Sequence, residues 1–476
     1  MNLDRRTLLR TGAGLLGAAA LTACGAGRTE KAAFVSPAGP QVRAAEQARR
    51  PGRVRDIRLV AAPAEGAAWA YNGQVPGPEI RVTAGEVVRA RLVNNLPAET
   101  SIHWHGLALR NDADGVPGVT QQPVRPGAEH VYEFTAPDPG THWFHPHSGT
   151  QFDRGLYAPI IVEDPREPLG YDAEWVVVLD DWLDGDPDEV LAELAGGMDH
   201  TKMSPNMLMG ATSPLLGGDA GDVRYATYLI NGKARQTFRA KPGTRLRIRL
   251  INAGGDTAFR VALGGHRLTV THTDGFAVQP VETDALLIGM GERYDVLVTL
   301  KDGAFPLTAL AEGKKAAVSA VVRTGSGTPG KAGGLDGRVL RYAQLLPHES
   351  VRLAARTPDR TVRFELTGGM AAYDWAINGR RYDPRDITPI RQGERVRLSF
   401  VNRTTMWHPM HLHGHTFALP SGARKDTAVV LPGDTLEVDF QADNPGVWMV
   451  HCHNVYHQES GMMTLLGYES GGSRSE

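Results

Sequence analysis

The chain has 476 residues, 51 Lys and Arg against 53 Asp and Glu, a net charge of −2 and a pI near 6.8. That length allows roughly two to four domains with sizeable cores, and the charge balance excludes the broad basic field that nucleic acid requires. Two cysteines exclude a disulfide framework, and 55 Gly and 31 Pro, spread throughout, divide the chain into short segments of all-β character.

The chain opens on "DRRTLLR", with Arg5 and Arg6, followed by the apolar run "LLGAAALTA" and by "LTACG" around Cys24. A charged start, a short apolar run and small residues before a cut site predict an export signal over 1–24, not a spanning helix. The paired arginines indicate the twin-arginine route, which carries folded proteins. "LTAC" resembles a bacterial lipobox, in which Cys24 is lipidated after cleavage; the alternative is cleavage near Ala23 and release. The expected location is the outer face of the cell membrane, held only by the lipid anchor, or the medium. Residues 25–52 are rich in Ala, Arg and Gly without periodicity and read as a linker.

A pattern then recurs three times: "NGQVPGPEIRVTAGEVVRARLVNN" from Asn72, "NGKARQTFRAKPGTRLRIRLINA" from Asn231 and "NGRRYDPRDITPIRQGERVRLSFVNR" from Asn378. Each copy holds Asn-Gly, a turn glycine and an alternating strand ending in Asn. The same distance separates Gly85 from Asn94, Gly243 from Asn252 and Gly393 from Asn402. Alternation puts Val88, Ala90 and Leu92 on one face, as it does Leu246, Ile248 and Leu250, and Val396, Leu398 and Phe400. Three related antiparallel β-sandwiches are predicted, over 53–165, 170–325 and 340–470. "EDPREPLGYDAE" (Glu163 to Glu174) and "RTGSGTPGKAGGLDG" (Arg323 to Gly337) separate them. One helix is predicted in "DPDEVLAELAGG", with acidic residues in its first turn and glycines at its end.

Histidine concentrates in four clusters: "HWHG" from His103, "HWFHPH" from His142, "HPMHLHGH" from His408 and "HCHNVYH" from His451. Counted from Asn94 and from Asn402, the pairs His103/His105 and His411/His413 fall at matching places. Each pair is followed by glycine, Gly106 or Gly414. "PGTHWFHPH" and "PGVWMVHCH" likewise match His145 and His147 to His451 and His453. The middle copy has no HxH. The copied sites are therefore expected to face each other across the interface of the first and third domains, with the second as a spacer that carries no ligand. In a strand, residues i and i+2 share a face, so each HxH presents two imidazoles together. Eight such rings suit a cluster of borderline-soft ions, most naturally copper. The intervening residue points away: Trp104 and Pro146 in the first domain, Cys452 in the third. With His408, His457 and Met462 as local candidates, that thiolate completes the two-His, one-Cys, weak-Met set of a blue-copper site. The bland alternative, core histidines, leaves many buried polar atoms to satisfy. For Met462 the alternative is gap-filling beside Met463.

These motifs resemble those of the three-domain multicopper oxidases, which include laccases and bacterial cuprous oxidases, from about Val54 to Tyr468. The resemblance implies three cupredoxin-like Greek-key domains and four copper ions. Type 1 copper would take His408, Cys452, His457 and axial Met462. Type 2 copper would take His103 and His411, and the type 3 pair His105, His145, His147, His413, His451 and His453. A reductant would give single electrons to type 1 copper through an exposed edge of His457 or His408. They would cross Cys452 and its flanking His451 or His453 to the cluster, where four electrons reduce O2 to water. An axial methionine implies a moderate type 1 potential. Asp114 matches the family's proton-supplying carboxylate beside type 2 copper; its alternative is a turn residue before Gly115. The carboxylate that some relatives carry after the second type 1 histidine is here Gln458, with Glu459 next. Gln122 stands where many laccases have a disulfide cysteine.

The shared copper core serves Cu(I), Fe(II) and phenols alike. "GGMDHTKMSPNMLMG" gathers Met198, His200, Met203, Met207 and Met209, and thioethers prefer Cu(I). A loop packed over an apolar surface is the alternative. Met406, near His408 as in cuprous-oxidase relatives, is read either as part of a Cu(I) relay or as packing. The best reading is a Cu(I)-oxidising, O2-reducing monomer with a role in copper tolerance; laccase and ferroxidase activity are the alternatives, and copper nitrite reductase and a copper-free scaffold are the rival classes.

Overall fold

Each sequence repeat becomes two packed sheets. The computed structural model describes residues 33–65, 68–196 and 206–471. In the first domain, the strands Trp69–Tyr71, Val54–Pro63, Val87–Asn94 and Glu129–Thr135 form one sheet. Ile80–Thr83, Ala158–Glu163, Gly140–His145 and His103–His105 form the other. The second and third domains each pair a six-stranded with a five-stranded sheet. These are the three cupredoxin-like sandwiches of an all-β protein. Trp104, fully buried, bridges the two sheets of the first domain, its ring 5.9 Å from Tyr132 and 5.1 Å from Phe134. The middle residue of the first HxH thus anchors the core while its flanking histidines face outward from it.

The repeated residues make the same corners three times. Asn72, Asn231 and Asn378 have φ of 52°, 49° and 55°, the left-handed conformation that asparagine tolerates. Their side chains clamp the neighbouring strand: the Oδ1 atoms accept from Val60, Val178 and Glu365 N–H at 2.7, 2.7 and 2.8 Å. The strand-end asparagines are buried staples. Asn94, Asn252 and Asn402 each donate from Nδ2 to two backbone carbonyls and accept from the N–H two residues on. In all three copies the strand ending in that asparagine pairs in parallel with the first strand of its domain. The predicted helix is Pro187–Ala195, capped by Asp186, whose side chain accepts from Asp188 N–H at 2.9 Å.

The linker reading of 25–52 is corrected from residue 33 onward. Val35 N–H donates to Tyr468 O and Ser470 N–H to Ala33 O, both at 2.8 Å, so the segment adds to the last strand of the third domain. A helix, Pro40–Ala48, follows and buries Val42 and Glu46. Glu46 Oε1 accepts from Thr135 N and Oγ1 at 2.6 and 2.7 Å, and Arg49 donates to Asn444 at 3.1 Å. Only one apolar residue of this helix faces inward, so hydropathy carries no periodic signal. The strap ties the first domain to the third.

Candidate metal centres

The two HxH strands of each outer domain lie side by side. His103 is paired across the ladder with His145, and His411 with His451. Asn111 joins the domains by bonding both Val447 N and O, at 3.0 and 2.7 Å. All eight imidazoles meet there, buried. His105 and His411, from different domains, stack with ring centroids 3.8 Å apart, as do His103 and His413. Three ligand sets have their donor atoms within 4.8 Å of one another: His103/His105/His411, His105/His145/His453 and His147/His413/His451. Gly414 is required because a Cβ there would lie 2.3 Å from the Trp448 ring.

Outer ring nitrogens are tied down. Nδ1 of His103, His145, His411 and His451 lies 2.9, 3.0, 2.9 and 2.9 Å from the carbonyls of Asp114, Pro146, Asp426 and Cys452. Inner nitrogens face one another, with His413 Nε2 at 3.0 Å and His147 Nε2 at 3.4 Å from His451 Nε2. His103 Nε2, His105 Nδ1, His411 Nε2 and His453 Nδ1 are buried and have no hydrogen-bond partner among the described residues. Burial, reinforced by neighbouring rings, holds His105, His145, His147, His411, His413, His451 and His453 below the ordinary imidazole range. Neutral rings whose inner nitrogens lack a partner or face one another, most with an anchored outer nitrogen, are the form in which histidine ligates metal. The residues therefore fit a multinuclear copper site.

On the other face of the Val447–Cys452 strand, Cys452 Sγ lies 3.6 Å from Nδ1 of both His408 and His457, and those two nitrogens are 3.1 Å apart. Met462 is buried, and its backbone bonds Cys452 N and His457 O at 3.1 and 3.0 Å. His457 is pushed upward: burial lowers it, but Asp222 and the Cys452 sulfur raise it to about 10. His142 and His415 share the sequence clusters but not the sites. His415 stacks on Tyr468 and bonds its hydroxyl at 2.7 Å, while His142 is buried against Gly275.

Two expectations change. Neither His457 nor His408 has an exposed edge. His457 Nε2 meets buried Asp222 Oδ2 at 2.9 Å, Trp375 lies 4.2 Å from its ring, and His408 Nε2 meets Thr404 Oγ1 at 2.8 Å. Nor is the second domain a mere spacer. It supplies no ligand among the described residues, yet Asp222 and Arg293, both its own, reach the two centres. Neither residue, nor Asp426, carries a local sequence signal, since isolated charged residues on separate segments look like ordinary surface.

Asp114 is buried, with Oδ1 3.2 Å from His103 Nδ1 and Oδ2 3.0 Å from His413 Nδ1. Gln458 donates to Glu459 at 2.8 Å, and burial raises Glu459. Met198, His200, Met203 and Cys24 lie outside the described residues. Met207 is buried and Met209 is 43% exposed; Met406 is 1% exposed and packed in the core, so it offers no surface to a substrate.

Two sandwiches facing each other across a buried histidine cage, with a cysteine site one strand away, define a copper-dependent oxidoreductase that uses O2. The chain belongs to the multicopper oxidases: three models of that family match residues 55–167, 173–327 and 355–471. It is 45% identical to multicopper oxidase MmcO of Mycobacterium tuberculosis, over 98% of this chain and 97% of that protein. It is 28% identical to copper resistance protein A of Escherichia coli, over 84% of this chain and 89% of the relative. Among solved structures, the laccase from Botrytis aclada superposes with a TM-score of 0.75 at 26% identity, covering 90% of this chain and 89% of the laccase.

Copper removal should destabilise the fold, because it leaves the inner nitrogens buried and unpaired. A ligand held 100-fold above its dissociation constant adds about 2.7 kcal/mol. The copper-loaded protein should therefore unfold at a clearly higher temperature in calorimetry than the chelator-stripped one; coincident transitions would refute this reading of the cage.

Proposed function

We propose that the protein is a cuprous oxidase of copper tolerance, holding four copper ions and using Cu(I) as substrate. Four Cu(I) give four Cu(II), while one O2 takes four electrons and four protons to become two waters. His408, Cys452, His457 and Met462 would hold the type 1 ion, His103 and His411 the type 2 ion, and the remaining six cluster histidines the type 3 pair. When bound, copper supplies reversible one-electron chemistry and the reduction of O2. The chain supplies the rest. Asp222 and Thr404 fix the outer nitrogens of His457 and His408. Trp375 and Tyr373, both fully buried, keep water from the pair. Cys452 is covalently continuous with His451 and His453, so no gap in the chain separates the two centres. Asp114, touching a ring from each domain, is placed to hold a proton at Oδ1 or Oδ2 beside the cluster.

The observation that carries the Cu(I) reading is the backbone pairing of the segment around Met207 with the Asp222 stretch. Leu208 N–H donates to Asp222 O at 2.8 Å, and Met207 is bridged to Val223. Asp219, half-buried, lies on the same stretch, bridged to Met406. The segment of Met207 and Met209 thus runs beside the stretch that carries Asp222, the partner of His457, and thioethers on it would favour a soft cation over a neutral phenol. Arg5, Arg6 and Cys24 support twin-arginine export and a lipid anchor, and no described helix is long and apolar enough to cross a membrane.

Replacing Met198, Met203, Met207 and Met209 by Leu should lower kcat/KM for Cu(I) about tenfold or more, the worth of one lost soft contact, with phenol turnover within about twofold. Unchanged Cu(I) kinetics would sink the proposal, and a parallel loss on phenols would favour the laccase reading. Asp114→Asn should cut O2 reduction by about 10²-fold, the lower range of general acid catalysis, and keep the blue absorption; retained turnover would remove Asp114 from proton supply. In fractionated cells, Arg5→Lys with Arg6→Lys should trap the protein inside, and Cys24→Ala should release it from the membrane. Unaltered fractionation of either variant would refute the corresponding step.

A further inference from the structure

We propose that the buried ion pair of Arg293 and Asp426 is a positioning device for the histidine cage, through which the ligand-free second domain controls it. The pair rests on the assignment of the eight histidines to copper. Asp426 is fully buried and meets rings from two domains: Oδ1 lies 3.1 Å from His105 Nε2 and 3.5 Å from His411 Nδ1. The adjoining Thr427 Oγ1 lies 3.1 Å from the same two nitrogens. These are the rings stacked at 3.8 Å, so two consecutive residues hold the first and third domains' histidines face to face.

Arg293 holds Asp426 in turn. Nη1 and Nη2 donate to Oδ1 and Oδ2, each at 2.6 Å, a two-pronged grip that fixes the carboxylate plane. Nε donates to Thr141 O at 3.0 Å, on the strand that ends in His145, so one guanidinium touches all three domains. Asp274 Oδ2 accepts from Asp426 N and Thr427 N at 3.1 and 3.2 Å. Lys425 Nζ reaches Asp274 and Glu292 at 3.1 and 3.0 Å. The glycine of "HWHG" is explained here: a Cβ on Gly106, at φ +84°, would lie 2.3 Å from Arg293 Nη2 and 2.6 Å from Asp426 Oδ2.

A buried ion pair adds little net stability over apolar packing. Its distinctive effect is on the ring it touches. His103, His145, His411 and His451 are tied outward through Nδ1, whereas His105 is tied outward through Nε2, and its Nδ1 is the buried atom without a partner. Asp426 accepts the proton of His105 at Nε2 and so turns Nδ1 toward the cage.

The test uses the copper-loaded full chain with Asp426→Asn, Arg293→Met and Arg293→Lys, read by copper content, blue absorption, the near-ultraviolet band of the coupled pair and the type 2 electron-paramagnetic-resonance signal. Asp426→Asn and Arg293→Met should keep the blue absorption, lose cage copper and change the type 2 signal. Their O2 turnover should fall about 10–100-fold, the usual effect of losing a metal ligand's partner. Arg293→Lys, which keeps the charge but not the grip, should fall between. Full loading and unaltered signals in Asp426→Asn and Arg293→Met would overturn the inference. So would a uniform loss of blue and cage signals in all three variants, since that is the behaviour of interdomain glue. A wild-type protein without cage signals would instead refute the copper assignment.

Discussion

Eight imidazoles buried at one junction form the constraint on which the rest of this protein depends. Each ring exposes one nitrogen to the interior and most have the other satisfied, because an unpaired buried polar atom costs several kcal/mol at the upper end. Backbone carbonyls of Asp114, Pro146, Asp426 and Cys452 meet the outer requirement for four rings. Carboxylates of Asp114 and Asp426 meet it for His413 and His105. Metal would meet the inner requirement, which would link the chain's stability to its cofactor.

That constraint explains the division of labour among the domains. The first and third carry ligands on paired strands, so the cage can form only where their sheets meet. Asn111 and the strap over 33–52 hold that meeting in place. The second domain contributes carboxylates and a guanidinium at one remove. Asp256 shows the economy of this arrangement. It accepts from Asp222 N–H at 3.1 Å and from Asn454 Nδ2 at 2.6 Å, while Lys314 Nζ holds it at 2.6 Å. One carboxylate thereby steadies both Asp222 and Asn454, the cap of the helix Val455–Ser460 that carries His457.

Much of the site was legible because ligands come in local motifs. HxH on a strand is read directly from period-two geometry, and the contrast of Pro146 with Cys452 at matching positions told the cage from the second centre. The Asn-Gly turns and strand-end asparagines were visible as repeats, but their function as clamps was not, since it depends on carbonyls from other segments. Burial of His457 and His408 was illegible for the same reason: Asp222, Thr404 and Trp375 that cover them come from three separate stretches. Met406, whose place near His408 left a relay and packing both open, is packed in the core.

By itself the sequence determined three related sandwiches, the candidate copper-ligating histidines as paired sets, and a single thiol on the reverse of one pair. Each of these follows from spacing within a strand or from copies of one pattern, and local backbone geometry is enough to read them. Only the tertiary structure decided which ring nitrogen faces inward, that neither His457 nor His408 has an exposed edge, and that Arg293 of the second domain grips Asp426 beside the cage. Those depend on single charged side chains far apart in the chain, whose meaning is set by desolvation and by the partner that folding brings to them.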